Sequence, residues 1–169
     1  MPDVTNIVIA GIGGQGVLKA SDILAGAAFQ SGYDVKKSEL HGMSQRGGSV
    51  SSDVRFGDEV YSPMVPPGEA HVLVVLAEDQ VEVNEHRLAS GGTLLTPELI
   101  DEDELPRKKT LNVALLGVLS TMLDIDEDVW MDEIEEQLPP RFHEANRKAF
   151  QMGREARCPT ATHQGEHDH

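Results

Sequence analysis

"IVIAGIGGQGVLKASDILAGAA", residues 7–28, joins an apolar run to a G-x-G-x-x-G turn and then to a stretch with helical spacing. Asn6 to Ala10 has the composition of a strand buried on both faces in a parallel sheet. From there Val17, Ala20, Ile23, Leu24, Ala27 and Ala28 recur at three- and four-residue steps and make one helical face, which Gly32 closes near the helix C-terminus. Strand, tight turn and helix in that order open an α/β fold. In such a turn Gly11, Gly13, Gly14 and Gly16, with Gln15 among them, let backbone approach a ligand, and the helix N-terminus can hold a phosphate.

A dinucleotide cradle also needs an acidic residue about 20 positions on to grip the ribose. Asp34 follows Gly16 by 18 residues and Glu39 by 23. Asp34, however, precedes "VKKSEL", whereas the ribose-binding acid belongs at the far end of the second strand. The turn therefore leaves two readings open: a dinucleotide cradle, or a close strand-to-helix turn with another purpose.

The rest of the chain extends the α/β pattern. "YDVKKSEL" is extended, and "GSVSSDVRFG" alternates as a strand, with Val50, Ser52 and Val54 on one face and Ser51, Asp53 and Arg55 on the other. "FGDEVYSP" reads as a turn and a short strand, and "HVLVVL" as a second buried strand. "AEDQVEVNEHRLAS" reads as a polar helix ended by Gly91-Gly92, before "TLLT" as a third core strand. "PELIDEDELPRKK" is a charged connector, residues 111–123 form a buried helix, and two amphipathic helices flank Pro139 and Pro140. The expected architecture is a three-layer α/β/α sandwich with a Rossmann-like glycine turn, a single domain over residues 1–157, and a disordered polar tail over 158–169.

Composition narrows the function. With 29 acidic and 14 basic residues the net charge is -15, which argues against nucleic-acid binding and against adsorption to anionic lipid. No apolar run approaches the roughly 20 residues needed to span a bilayer, and no leader is evident, so a cytoplasmic protein is expected. A single cysteine, Cys158, excludes an internal disulfide, and without a C-x-x-C pair no zinc or iron–sulfur site is expected.

Between the second and third strands lies "HGMSQRGG", a loop with no period of its own. His41 has acid–base chemistry, Arg46 suits a phosphate or carboxylate, and Gly47-Gly48 can turn sharply and expose backbone amides. An equally plain reading pairs Arg46 with one of the chain's own carboxylates and makes the glycines a bulge.

The stretch "GIGGQGVLKASDILAGAAFQSGYDVKKSELHGMSQRGGSVSSDVRFGDEVYSP" resembles the β-subunit family of indolepyruvate:ferredoxin oxidoreductase, and more broadly the γ domain of the pyruvate and 2-oxoacid:ferredoxin oxidoreductases. "GGQG" resembles the shared first turn, and "HGMSQRGGSV" the indolepyruvate branch. The resemblance continues through "LVVLAEDQVE" and "LNVALLGVLS" to Asn146, Phe150 and Gly153 of the closing helix, and departs after Leu76, where relatives usually carry a longer helical segment. It implies an enzyme that oxidatively decarboxylates a 2-oxoacid to an acyl-CoA, with thiamine diphosphate chemistry and electrons passed through iron–sulfur clusters to ferredoxin. It further implies that thiamine diphosphate, Mg and the clusters sit in a larger subunit, that this chain binds no cofactor alone, and that CoA is a co-substrate. The expected partners are that subunit and, indirectly, ferredoxin; the isolated chain is expected to be inactive, with a homodimer left open. Under this resemblance Ser44, Gln45, Arg46, Gly47 and Gly48 form a substrate, CoA or subunit-contact loop, His41 and Arg46 are the catalytic candidates, and Gly11 to Gly16 remain a candidate phosphate turn. The alternatives are a freestanding nucleotide-binding module and a non-catalytic scaffold docking a basic partner through the acidic segments 101–104 and 126–136.

Overall fold

The computed structural model describes residues 3–41, His41 by its backbone alone, and 48–156. β1 (Val4–Ile12) is buried from Thr5 to Gly11, so its apolar residues require cover on both faces. It takes the central place. β2 (Asp34–His41), β3 (Ser49–Gly57), β4 (Ala70–Val75) and β5 (Leu88–Leu95) complete one sheet in the order β2-β3-β1-β4-β5.

The sheet is mixed, which corrects the parallel sheet expected from β1. β1–β4 and β4–β5 are parallel, but β3 runs antiparallel to both β1 and β2. A short connection between β2 and β3 permits an antiparallel pair and no crossover, and a parallel pair would need a much longer one. The β1–β3 ladder then runs unbroken from Val4 opposite Gly57 to Ile12 opposite Ser49.

α1 (Val17–Gln30) closes as its sequence requires, with Gly32 at φ 94° and the Tyr33 amide donating back to the Ala28 carbonyl at 3.2 Å. Two other expectations fail locally. "FGDEVYSP" adds no strand of its own after β3 ends at Gly57: the Val60 amide donates to the Asp34 carboxylate at 2.8 Å, and just beyond the segment the Val65 amide donates to Asp53 at 2.9 Å. The expected polar helix is only a chain of turns around α2 (Val81–Asn84), and Leu88 to Ser90 already belong to β5. Gly91-Gly92 consequently ends no helix; Gly91, at φ 77°, lies in β5 where the β4–β5 register shifts.

α3 (Leu111–Ser120), α4 (Glu127–Gln137) and α5 (His143–Glu155) join α1 over one face of the sheet, where Ile7, Ile9, Val54, Phe56, Val72 and Val74 meet them. On the other face Val8, Leu73 and Val75 are covered by Val65 and Val81. The α/β class holds, with the second helical layer reduced to the short turns around α2. No helix of the described residues is long and apolar enough to cross a membrane.

α3 and α5 cross at Gly117 and Gly153, where a methyl on Gly153 would run into the Ala114 carbonyl oxygen. Gly153→Ala is expected to cost about 2 kcal/mol or more, because neither backbone can retreat without opening the core. Urea unfolding followed by the fluorescence of Trp130, which is fully buried and 5.7 Å from Phe150 between ring centres, measures it.

His71 on β4 accepts the Asn6 amide on Nδ1 at 2.9 Å, which requires a neutral ring. Burial lowers its pKa below the usual 6.5, against a smaller opposing pull from Glu69. Because the unfolded chain then binds this proton more readily, the stabilisation is whole above 6.5 and is lost as pH falls through the window below it. NMR titration of the ring should find a midpoint under 6.5, and His71→Gln should remove that part of the acid slope in unfolding free energy.

Candidate functional site

The β3 insertion brings both sequence motifs to the carboxyl edge of β1. β2 ends with His41 opposite Val50, β3 begins beside Ile12, and the Gly13 amide donates to the Gly48 carbonyl at 2.9 Å. The glycine turn and the far end of the second loop are thus in direct contact. Ser44, Gln45, Arg46 and Gly47 lie outside the described residues, as do the His41 side chain and the tail from 157 onward.

Within the turn the five candidate residues divide their work. Gln15 accepts the Ile12 amide on Oε1 at 2.9 Å and donates from Nε2 to the Leu76 carbonyl at 3.0 Å, tying the ends of β1 and β4. Its side chain is therefore a strut. Gly11 leaves room for it, since a Cβ there would stand 2.7 Å from Gln15 Oε1. Gly16, at φ 82°, admits Asn112 of α3, whose Nδ2 donates to the Gly16 carbonyl at 3.1 Å. Gly14, at φ 93°, has open space where a side chain would project.

The acids required by the dinucleotide reading are occupied elsewhere. β2 is the edge strand, separated from β1 by β3. Asp34 holds the Val60 amide, and Glu39 pairs with Lys37 at 2.5 Å. Burial alone would lower the Lys37 pKa, but hydrogen bonds to Asp22 and Glu39 carry it above its usual value.

A hollow of about 360 Å³ opens beside the turn. Gly14, Gly16, Leu76 and Asn112 form part of its wall, and Lys19, Lys108 and Lys109 stand around it. α1 begins here with no side-chain cap and no acidic residue in its first turn, so its leading amides have no side-chain acceptor. Sequence reading missed these residues: Lys108 and Lys109 passed as part of a charged connector. The available signal was Asn112, a polar residue at the head of an otherwise apolar helix. A second hollow of about 400 Å³ lies on the opposite face between Leu40, Val50, Met64 and Val83, where Arg87 is held by Asp53 at 2.6 Å. Among the described residues no group of three His, Cys, Asp or Glu side chains is placed to hold a metal.

A mixed sheet whose first strand turns through glycines into a helix, with an antiparallel hairpin returning to the same edge, is the class this geometry defines. Residues 6–156 match the pyruvate ferredoxin/flavodoxin oxidoreductase family, and the chain belongs to it. The indolepyruvate oxidoreductase subunit IorB of Thermococcus kodakarensis is 34% identical, over 88% of this chain and 93% of that protein. The 2-oxoglutarate synthase subunit KorC of Archaeoglobus fulgidus is 31% identical over 90% and 88%. The crystal structure of a keto/oxoacid ferredoxin oxidoreductase gamma subunit from Geobacter sulfurreducens superposes with a TM-score of 0.75 at 26% identity, covering 88% of this chain and 95% of that one. The resemblance read in the sequence thus extends across nearly all the described chain.

Gly16→Ala is expected to cost about 1–3 kcal/mol, from left-handed strain together with the clash at Asn112, whose amide would stand 2.5 Å from the new Cβ. Gly14→Ala meets only the strain, about 1–2 kcal/mol, and should cost less. Parallel urea titrations of the two variants compare them.

Proposed function

We propose that this chain is the cluster-free subunit of a thiamine diphosphate-dependent 2-oxoacid:ferredoxin oxidoreductase, working in the cytoplasm with a larger catalytic subunit. The substrate is an aryl pyruvate such as indolepyruvate: a 2-oxoacid and CoA give acyl-CoA and carbon dioxide, and two electrons pass to ferredoxin. Thiamine diphosphate, Mg and the iron–sulfur clusters belong to the larger subunit and supply the carbanion and electron-transfer chemistry there. The family match carries the oxidoreductase reading, and the Gly13–Gly48 hydrogen bond carries the choice of surface.

In this reading the carboxyl edge faces the partner's active-site region. Arg46 holds an anionic group of substrate or CoA, with His41, Ser44 and Gln45 as its neighbours in sequence. The relatives' names support both indolepyruvate and 2-oxoglutarate chemistry; "HGMSQRGGSV" favours the aryl branch.

Co-expression with the thiamine diphosphate subunit should yield a complex that reduces a viologen dye with indolepyruvate and CoA, while the chain alone does not. Failure to co-purify with any such subunit would overturn the reading. In the complex, Arg46→Ala should lower kcat/KM by about tenfold or more, the loss of one charge-assisted contact, with assembly intact. Unchanged kinetics would remove the role given to Arg46.

A further inference from the structure

The chain has 29 acidic residues against 14 basic ones, so a hollow surrounded by several cations and lined by no carboxylate stands out against the rest of its surface. Lys36, Lys37, Arg87, Arg147, Lys148 and Arg154 all have a carboxylate within 4.0 Å. Among the described residues Lys19, Arg55, Arg107, Lys108, Lys109 and Arg141 do not, and the three lysines of that set stand around one hollow of about 360 Å³ beside the glycine turn. Among the described residues no carboxylate lines that hollow, and Lys19 has only the Gln137 carbonyl at 3.3 Å. Like charges gathered without counter-charge repel one another, and an anion placed between them relieves the repulsion.

We infer that this hollow is a binding site for a diphosphate group, held by Lys19, Lys108 and Lys109. The charge count selects the ligand: a 2-oxoacid carboxylate brings one negative charge and leaves two ammonium groups unbalanced, whereas a diphosphate brings at least two. Gly14 has no neighbour within 4 Å of its missing side chain, so a phosphate can reach the turn's backbone, and the uncapped first turn of α1 adds amide donors. Asn112, 7% exposed and bonded to the Gly16 carbonyl, fixes the wall between turn and α3. CoA and dinucleotides share this diphosphate, and the binding arms below separate them. The inference concerns the chain alone and does not depend on assembly with a larger subunit.

Inorganic pyrophosphate titrated into the full chain should shift the amide resonances of Gly14, Gly16 and Lys19 in NMR spectra, with affinity falling as salt rises. The double variant Lys108→Glu, Lys109→Glu should bind at least about tenfold more weakly by calorimetry, with unchanged circular dichroism. Lys36→Glu, at a paired lysine away from the hollow, should bind as the parent does. CoA binding tighter than pyrophosphate while NAD does not assigns the site to an acyl carrier, the reverse assigns it to a dinucleotide, and either supports the site. Absence of pyrophosphate binding, shifts that map elsewhere, or equal affinity in the double variant would overturn it.

Discussion

The unbroken pairing of β3 with β1 is the constraint on which the arrangement of the site depends. From Val4 opposite Gly57 to Ile12 opposite Ser49, this ladder fixes β3 antiparallel beside the central strand and drives β2 to the sheet edge. The chain must therefore re-enter the sheet at the same edge where β1 leaves it for α1. A slip of one residue would exchange the faces of Val54 and Asp53, placing an ion-paired carboxylate among the helices, so burial on both faces holds the register. The contact between Gly13 and Gly48 follows from that register.

Glycine in this turn serves packing more than ligand approach. Gly11 makes room for the Gln15 strut and Gly16 for Asn112, while Gly14 is left open. The same spacing that supports a dinucleotide fingerprint is here spent on joining β1 to β4 and α1 to α3. Such a motif marks a close strand-to-helix turn; the neighbouring side chains decide what, if anything, it holds.

The apolar elements were legible in the sequence: α1 stands where its three- and four-residue spacing put it, and β1 and α3 where unbroken apolar runs did. Short segments were not. "AEDQVEVNEHRLAS" suggested one polar helix, but α2 spans only four residues before the chain turns into β5, too few for a period to decide. The segment after Gly57 looked like a strand because nothing local shows that Asp34 and Asp53 will satisfy its amides from other strands. At the candidate site, the turn and the second loop were visible as separate motifs, and their contact required the sheet order. Lys108 and Lys109 acquire meaning only because α3 carries their connector across to the turn, a placement set by tertiary packing rather than by their charged neighbourhood.

The carboxyl edge is thus the face on which the glycine turn, Gly48 and the lysines of the hollow converge, and the proposed assembly presents it to a larger subunit. Hydrogen–deuterium exchange on the free chain and on the assembled complex tests this placement most directly. Slower exchange on assembly across residues 13–19 and 108–112, with the outward faces of α4 and α5 unchanged, is the predicted result. Protection confined to α4 and α5, with the carboxyl edge exchanging as in the free chain, would contradict it.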